Sequence, residues 1–158
     1  MSSTSKDSFN LYQQAINSIG SILINYDLTQ QIPTYGFGAE LNFPNLKYPQ
    51  TSHFFPCSGS QNNSQGFGIQ GVFDLYTFAL KNVKLSGPTF FAPMLTDLVY
   101  KVQQSVETDP TRYFIFLILT DGAIHDMWKT IDVIVEASRL PISVIIVGIG
   151  NADFSIME

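Results

Sequence analysis

Two oxygen-bearing side chains stand where the sequence could do chemistry: Thr89 in "LSGPTFFAP" and Asp121 in "YFIFLILTDGAIHDM". The second stretch is a run of large apolar residues that stops at Asp121, with Gly122 directly behind it. A carboxylate at the end of a buried strand is expensive to desolvate unless something there needs it. Thr89 offers a hydroxyl on a turn that Pro88 stiffens and Gly87 makes permissive. Oxygen donors of these kinds, completed by water, suit Mg²⁺ or another hard divalent cation. The residues alone leave a plainer reading open. Thr89 would then cap the helix behind it, and Asp121 would accept hydrogen bonds in a strand-to-loop turn.

Other candidates carry less. His125 and Asp126 follow Asp121 closely, but no serine or cysteine nucleophile motif flanks either of the two histidines. Asp126 reads as the cap of a helix starting at Met127, with His125 exposed in the loop. "GFGIQG" (66–71) matches the dinucleotide fingerprint in form only, because the preceding Asn, Ser and Gln do not make the strand that must feed its glycines. The single cysteine, Cys57, reads as an ordinary loop thiol, excludes an internal disulfide and fits a reducing compartment. The sequon at Asn62 has no use in a cytosolic chain.

Positioning Thr89 and Asp121 requires a buried scaffold, and the composition allows one. The 158 residues suit one α/β domain; 45% are hydrophobic and 13% charged, which argues for a densely buried sheet. Net charge is −5, and the eight Lys and Arg are scattered, so no basic stripe exists for nucleic acid or an anionic membrane. The polar start "MSSTSKDS" is no signal peptide, and no apolar run reaches the ~20 residues of a membrane span. The expectation is a soluble, cytoplasmic protein.

Apolar spacing predicts a helix over 10–26, opened by a capping box of Asn10 and Gln13. "IPTYGFG" (32–38) predicts a strand and "SHFFP" (52–56) a short edge or hairpin partner. Helical spacing returns over 69–83 and again over 94–106, with Pro93 in the first turn. The near-continuous apolar runs 113–119 and 142–150 predict buried parallel strands, with a helix over 126–139 between them. "NADFSIME" reads as the start of one more helix. Strands alternating with helices predict a doubly wound, mostly parallel sheet with helices on both faces. Ligands of such sheets bind outside the carboxyl ends of the strands, where Asp121 lies.

"GPTFFAP", "LTDGAIHDM", "ASRLPISVIIVGIGNADF" and "YGFGAEL" together resemble the A domain of copines, a von Willebrand factor type A-like module of calcium-dependent phospholipid-binding proteins. "LYQQAI", "NYDLTQQIPTYGFGA" and "GIQGVFDLY" extend the resemblance over nearly the whole chain. Plant ubiquitin ligases with a copine-like A domain are a near neighbour. The resemblance implies a metal-ion-dependent adhesion site, with Thr89 and Asp121 as its second and third contributors. The first contributor, a D-x-S/T-x-S motif after the first strand, has no counterpart here; "SSTS" (2–5) supplies hydroxyls only. Residues 1–158 are therefore expected to form a single partial A domain, incomplete at both ends, that holds a divalent cation weakly or not at all.

The function expected is a non-enzymatic interaction module that recruits protein partners. Phospholipid membrane would be reached only through modules outside this chain, which would place the full-length protein in the cytoplasm and peripherally at the plasma membrane. Two alternatives stand beside it. One is a small α/β enzyme using Asp121 on a phosphate- or metal-bound substrate; the other is the A domain of a copine-like ubiquitin ligase.

Overall fold

The computed structural model of the chain describes residues 9–158. Helix α1 (Leu11–Ala15) opens on the expected capping box: Asn10 Oδ1 accepts from the Gln13 N–H, and Gln13 Oε1 accepts from the Asn10 N–H. The helical path continues through a π-helical turn (Ile16–Gly20), α2 (Ser21–Leu23) and a 3-10 turn (Ile24–Tyr26). The hydroxyls of Ser2–Ser5 lie outside the described residues.

The next segment is antiparallel. Strands β1 (Gln31–Pro33), β2 (Tyr35–Gly36), β3 (Ala39–Phe43), β4 (Leu46–Ser52), β5 (Phe55–Pro56) and β6 (Gln65–Phe67) form short pairings, β1 with β6, β2 with β5, and β3 with β4. The single strand expected over "IPTYGFG" is therefore two strands with different partners. Thr34 is the point of exchange: its N–H still donates to Ser64 O on the β6 side at 2.8 Å, while its carbonyl accepts from the Cys57 N–H on the β5 side at 3.1 Å. "SHFFP" does become a short hairpin partner, through β5.

Helix α3 (Gly68–Asn82) follows β6 directly. A short strand does feed the "GFGIQG" glycines, against expectation, but it is antiparallel to β1. The glycines have a packing reason: a Cβ on Gly66 would stand 2.7 Å from the Gly71 carbonyl carbon. They let strand and helix touch, with no phosphate invoked. Strand β7 (Val83–Leu85) then joins the free side of β3. Phe43 of β3, Phe55 of β5 and Cys57 just past it pack with Ala79 of α3 into one core.

The second core holds the predicted parallel unit. Helix α4 (Ala92–Thr108), strand β8 (Phe114–Thr120), helix α5 (Met127–Ala137) and strand β9 (Ile142–Gly148) fall close to their predicted bounds. β8 and β9 pair in parallel from Phe114 with Ile142 to Thr120 with Gly148. Alternate residues Phe116, Ile118, Val144 and Ile146 face Leu95 and Phe91, which are 1% and 0% exposed. Residues 155–157 make a 3-10 turn. The architecture is mixed α/β, with one parallel pair beside three small antiparallel sheets among the described residues. No described helix is long and apolar enough to cross a membrane.

Candidate functional site at the carboxyl ends of the parallel strands

Asp121 follows the last residue of β8, and the Ile149 N–H donates to Thr120 O at 2.7 Å, so the two strand ends stay together past the ladder. An open cleft of about 430 Å³ lies there, lined by Asn10, Tyr12, Asp121, Ile149 and Asn151 among others. Gly150 forms part of its wall at φ 84°, a left-handed backbone that favours glycine. Asp121 is exposed, and Ile149 is buried behind it.

The phenol of Tyr12 faces Asp121 from the N-terminal helix. Its partial burial, reinforced by the Asp121 carboxylate, pushes its pKa up to about 12. The Tyr12 ring stacks on Tyr76, whose hydroxyl accepts a hydrogen bond from Asn10 Nδ2 at 3.1 Å. Sequence reading placed Tyr12 only on the apolar face of a helix. No signal in the sequence links it to Asp121, because the contact exists only once the chain has folded.

Thr89 is outside the cleft lining but is tied to the loop that carries Asp121. The Thr89 N–H donates to His125 Nδ1 at 3.0 Å, and the His125 N–H donates back to Thr89 O at 2.9 Å. His125 is exposed, as expected, yet engaged. Asp126 occupies the position before α5, but its side chain does not cap that helix. It caps α4 instead: Oδ1 accepts from the Phe91 N–H and Oδ2 from the Ala92 N–H, both at 2.9 Å. The Thr130 hydroxyl donates to the same Oδ1 at 3.2 Å. Thr89 is consequently not the helix cap.

Among the described residues, no three His, Cys, Asp or Glu side chains converge as metal ligands. Thr89 supplies one hydroxyl and Asp121 one carboxylate. Cys57 is 6% exposed, and burial pushes its thiol up to about 12, which removes the thiolate that nucleophilic chemistry would need.

The described residues thus form a mixed α/β domain with a cleft that holds Asp121 at its parallel strand ends. The profile of the copine family matches residues 2–158, and the chain belongs to that family. It is 42% identical over 150 residues to Protein BONZAI 1 of Arabidopsis thaliana, covering 94% of this chain and 25% of that protein. It is 43% identical over 154 residues to Nicotinic receptor-associated protein 1 of Caenorhabditis elegans, covering 98% and 24%. Copine-A of Dictyostelium discoideum is 40% identical over 149 residues, covering 94% and 24%. The chain thus spans about a quarter of the length of these relatives.

Proposed function

We propose that this chain is a protein-interaction module of a copine-like, calcium-dependent phospholipid-binding protein, without catalysis of its own. The copine match across residues 2–158 carries the reading. The Caenorhabditis elegans relative is named for association with a nicotinic receptor, an interaction with another protein. A comparable recruiting role is what we assign here. We take β8 and β9 as part of a doubly wound, mostly parallel sheet of the von Willebrand factor A type, with Thr89 and Asp121 as a partial metal-ion-dependent adhesion site. Membrane contact belongs to modules outside this chain, and the full-length protein works in the cytoplasm and peripherally at the plasma membrane. Nucleic acid is not a partner, since the eight Lys and Arg form no stripe.

Two measurements test this. Calorimetric titration of the chain with Mg²⁺ should give an affinity on the order of millimolar or weaker, as expected for two protein ligands plus water. A longer chain that supplies an Asp-led first strand should bind more tightly, and Asp121→Ala should then abolish binding. Tight binding by the 158-residue chain, indifferent to Asp121→Ala, places the site elsewhere. Assayed against phosphate esters with and without Mg²⁺, the chain should show no turnover. Turnover lost in Asp121→Ala would make it the small α/β enzyme instead.

A further inference from the structure

Helix α5 turns a stripe of large apolar side chains to solvent. Trp128, Ile131 and Val135 stand at three- and four-residue spacing with Ile134 beside them. All four are exposed, Trp128 by 84% and Val135 by 62%. The face that holds the helix in the fold is a different one: Thr130 and Ala137 are buried, and α5 rests on α4. Trp128 is the chain's single tryptophan. A large aromatic among exposed aliphatic side chains is the composition of an interface anchor, where a desolvated tryptophan carries much of the binding.

One flank of this stripe carries charges in a set order. At about 3.6 residues per turn, Lys129, Asp132, Glu136 and Arg139 fall along the same side, with the carboxylates central and the cations at the ends. The only salt bridge among the described residues joins Lys84 and Glu40 at 3.8 Å, so neither carboxylate has a cation. A second copy does not supply one. Laid antiparallel about a two-fold axis, it brings the flank onto itself, acid against acid; laid parallel, it offers the apolar Ile134 side. An anionic membrane is repelled by the same carboxylates and by the net charge of −5.

We propose that α5 docks a basic amphipathic helix of a partner protein. That helix has apolar residues at three- and four-residue spacing and two Lys or Arg one turn apart beside them. Its apolar residues pack over Trp128, Ile131 and Val135, and its cations pair with Asp132 and Glu136. From Trp128 to Val135 the stripe runs roughly 10 Å along the axis, so about two turns of the partner cover it. A role for this surface in recruitment rests on the interaction-module reading. The surface itself uses neither Thr89 nor Asp121 and is tested without them.

Trp128 reports its own burial, so the experiment is a fluorescence titration of the 158-residue chain. The probe is a helical peptide of leucine and lysine, with leucines at three- and four-residue spacing and lysines on both flanks. Emission should move to the blue and saturate, and quenching by acrylamide should fall. The same peptide with glutamate for lysine should leave the emission in place. Asp132→Lys with Glu136→Lys should weaken the lysine peptide roughly tenfold, as two exposed ion pairs lost and reversed imply, and should let the glutamate peptide bind. The same change of charge at the exposed Asp74 and Glu107 should alter neither. Val135→Ser should weaken binding roughly three- to tenfold with circular dichroism unchanged. Peptide binding blind to the reversal at Asp132 and Glu136 overturns the site. Emission that shifts with chain concentration alone makes the occupant a second copy and overturns the partner helix. Emission that answers to phosphatidylserine vesicles but to neither peptide makes the occupant lipid and overturns it too. So does a Trp128 already shielded from acrylamide in a longer chain, which would then cover its own stripe. A longer chain that still recruits protein after Trp128→Ser overturns this surface and leaves the module reading standing. Peptide binding that meets every expectation in a chain recruiting no protein upholds the surface and strikes the module reading alone.

Discussion

Among the described residues, Tyr12 and Cys57 are pushed furthest from their ordinary titration, and both shifts have the same sign. Burial comes first for Tyr12, then the Asp121 carboxylate, and together they raise the phenol from 10.0 to about 12. Burial alone raises the Cys57 thiol from 9.0 to about 12. In each case the folded chain disfavours the anion more than the unfolded chain does. A group whose folded pKa is raised contributes its stabilisation in full below the unfolded value and loses it as pH climbs to the folded value. For Cys57 that window runs from 9.0 to about 12, and for Tyr12 from 10.0 to about 12. The thermal midpoint should therefore fall as pH rises above about 9. Ultraviolet titration should show Tyr12 ionising at about 12, and Asp121→Asn should bring it earlier. A Tyr12 whose titration is unmoved by Asp121→Asn would separate it from Asp121.

Two helices meet through a single carboxylate. Asp126 stands at the start of α5 and accepts from the first amides of α4, at Phe91 and Ala92, which are 0% and 8% exposed. Asp126→Ala would leave two buried N–H groups without acceptors, a loss on the order of 1–3 kcal/mol by the usual penalty for unpaired buried donors. Chemical denaturation should show that loss, while Asp126→Asn, which keeps one oxygen, should recover part of it. An Asp126→Ala protein as stable as the parent would mean that water replaces the carboxylate. The contrast between these elements and the rest shows what the sequence made readable. Periodicity located α3, α4, β8, α5 and β9, because each buries a face whose spacing is written locally. The split of "IPTYGFG" into β1 and β2 was not readable, since it depends on where Ser64 and Pro56 come to lie. Asp121 stood out as a carboxylate ending an apolar run. Tyr12 and the true role of Asp126 did not, because their partners are far away in the chain.

At the scale of the molecule, the parallel pair is the part left open. Among the described residues β8 pairs only with β9, and both outer edges keep unpaired backbone donors and acceptors. The face turned away from α4 and α5 carries Ile115 and Ile145, 41% and 36% exposed, with Leu117 half-buried between them. A free edge next to an exposed aliphatic face is a template for self-association. The relatives are about four times longer, so more chain is available to them than these residues offer. The isolated 158-residue chain should consequently be sticky. Light scattering coupled to size exclusion should show mass that grows with concentration, and heating should give a broad transition. Ile115→Lys puts a charge on β8 without touching the α4 side, since Ile115 alternates with the inward Phe116. It should raise the monomer fraction while leaving circular dichroism unchanged, the effect lysines have on natural edge strands. A parent chain that runs as a clean monomer and melts in one sharp step would refute this: the edges of β8 and β9 would then be protected in solution, and the sheet complete as it stands.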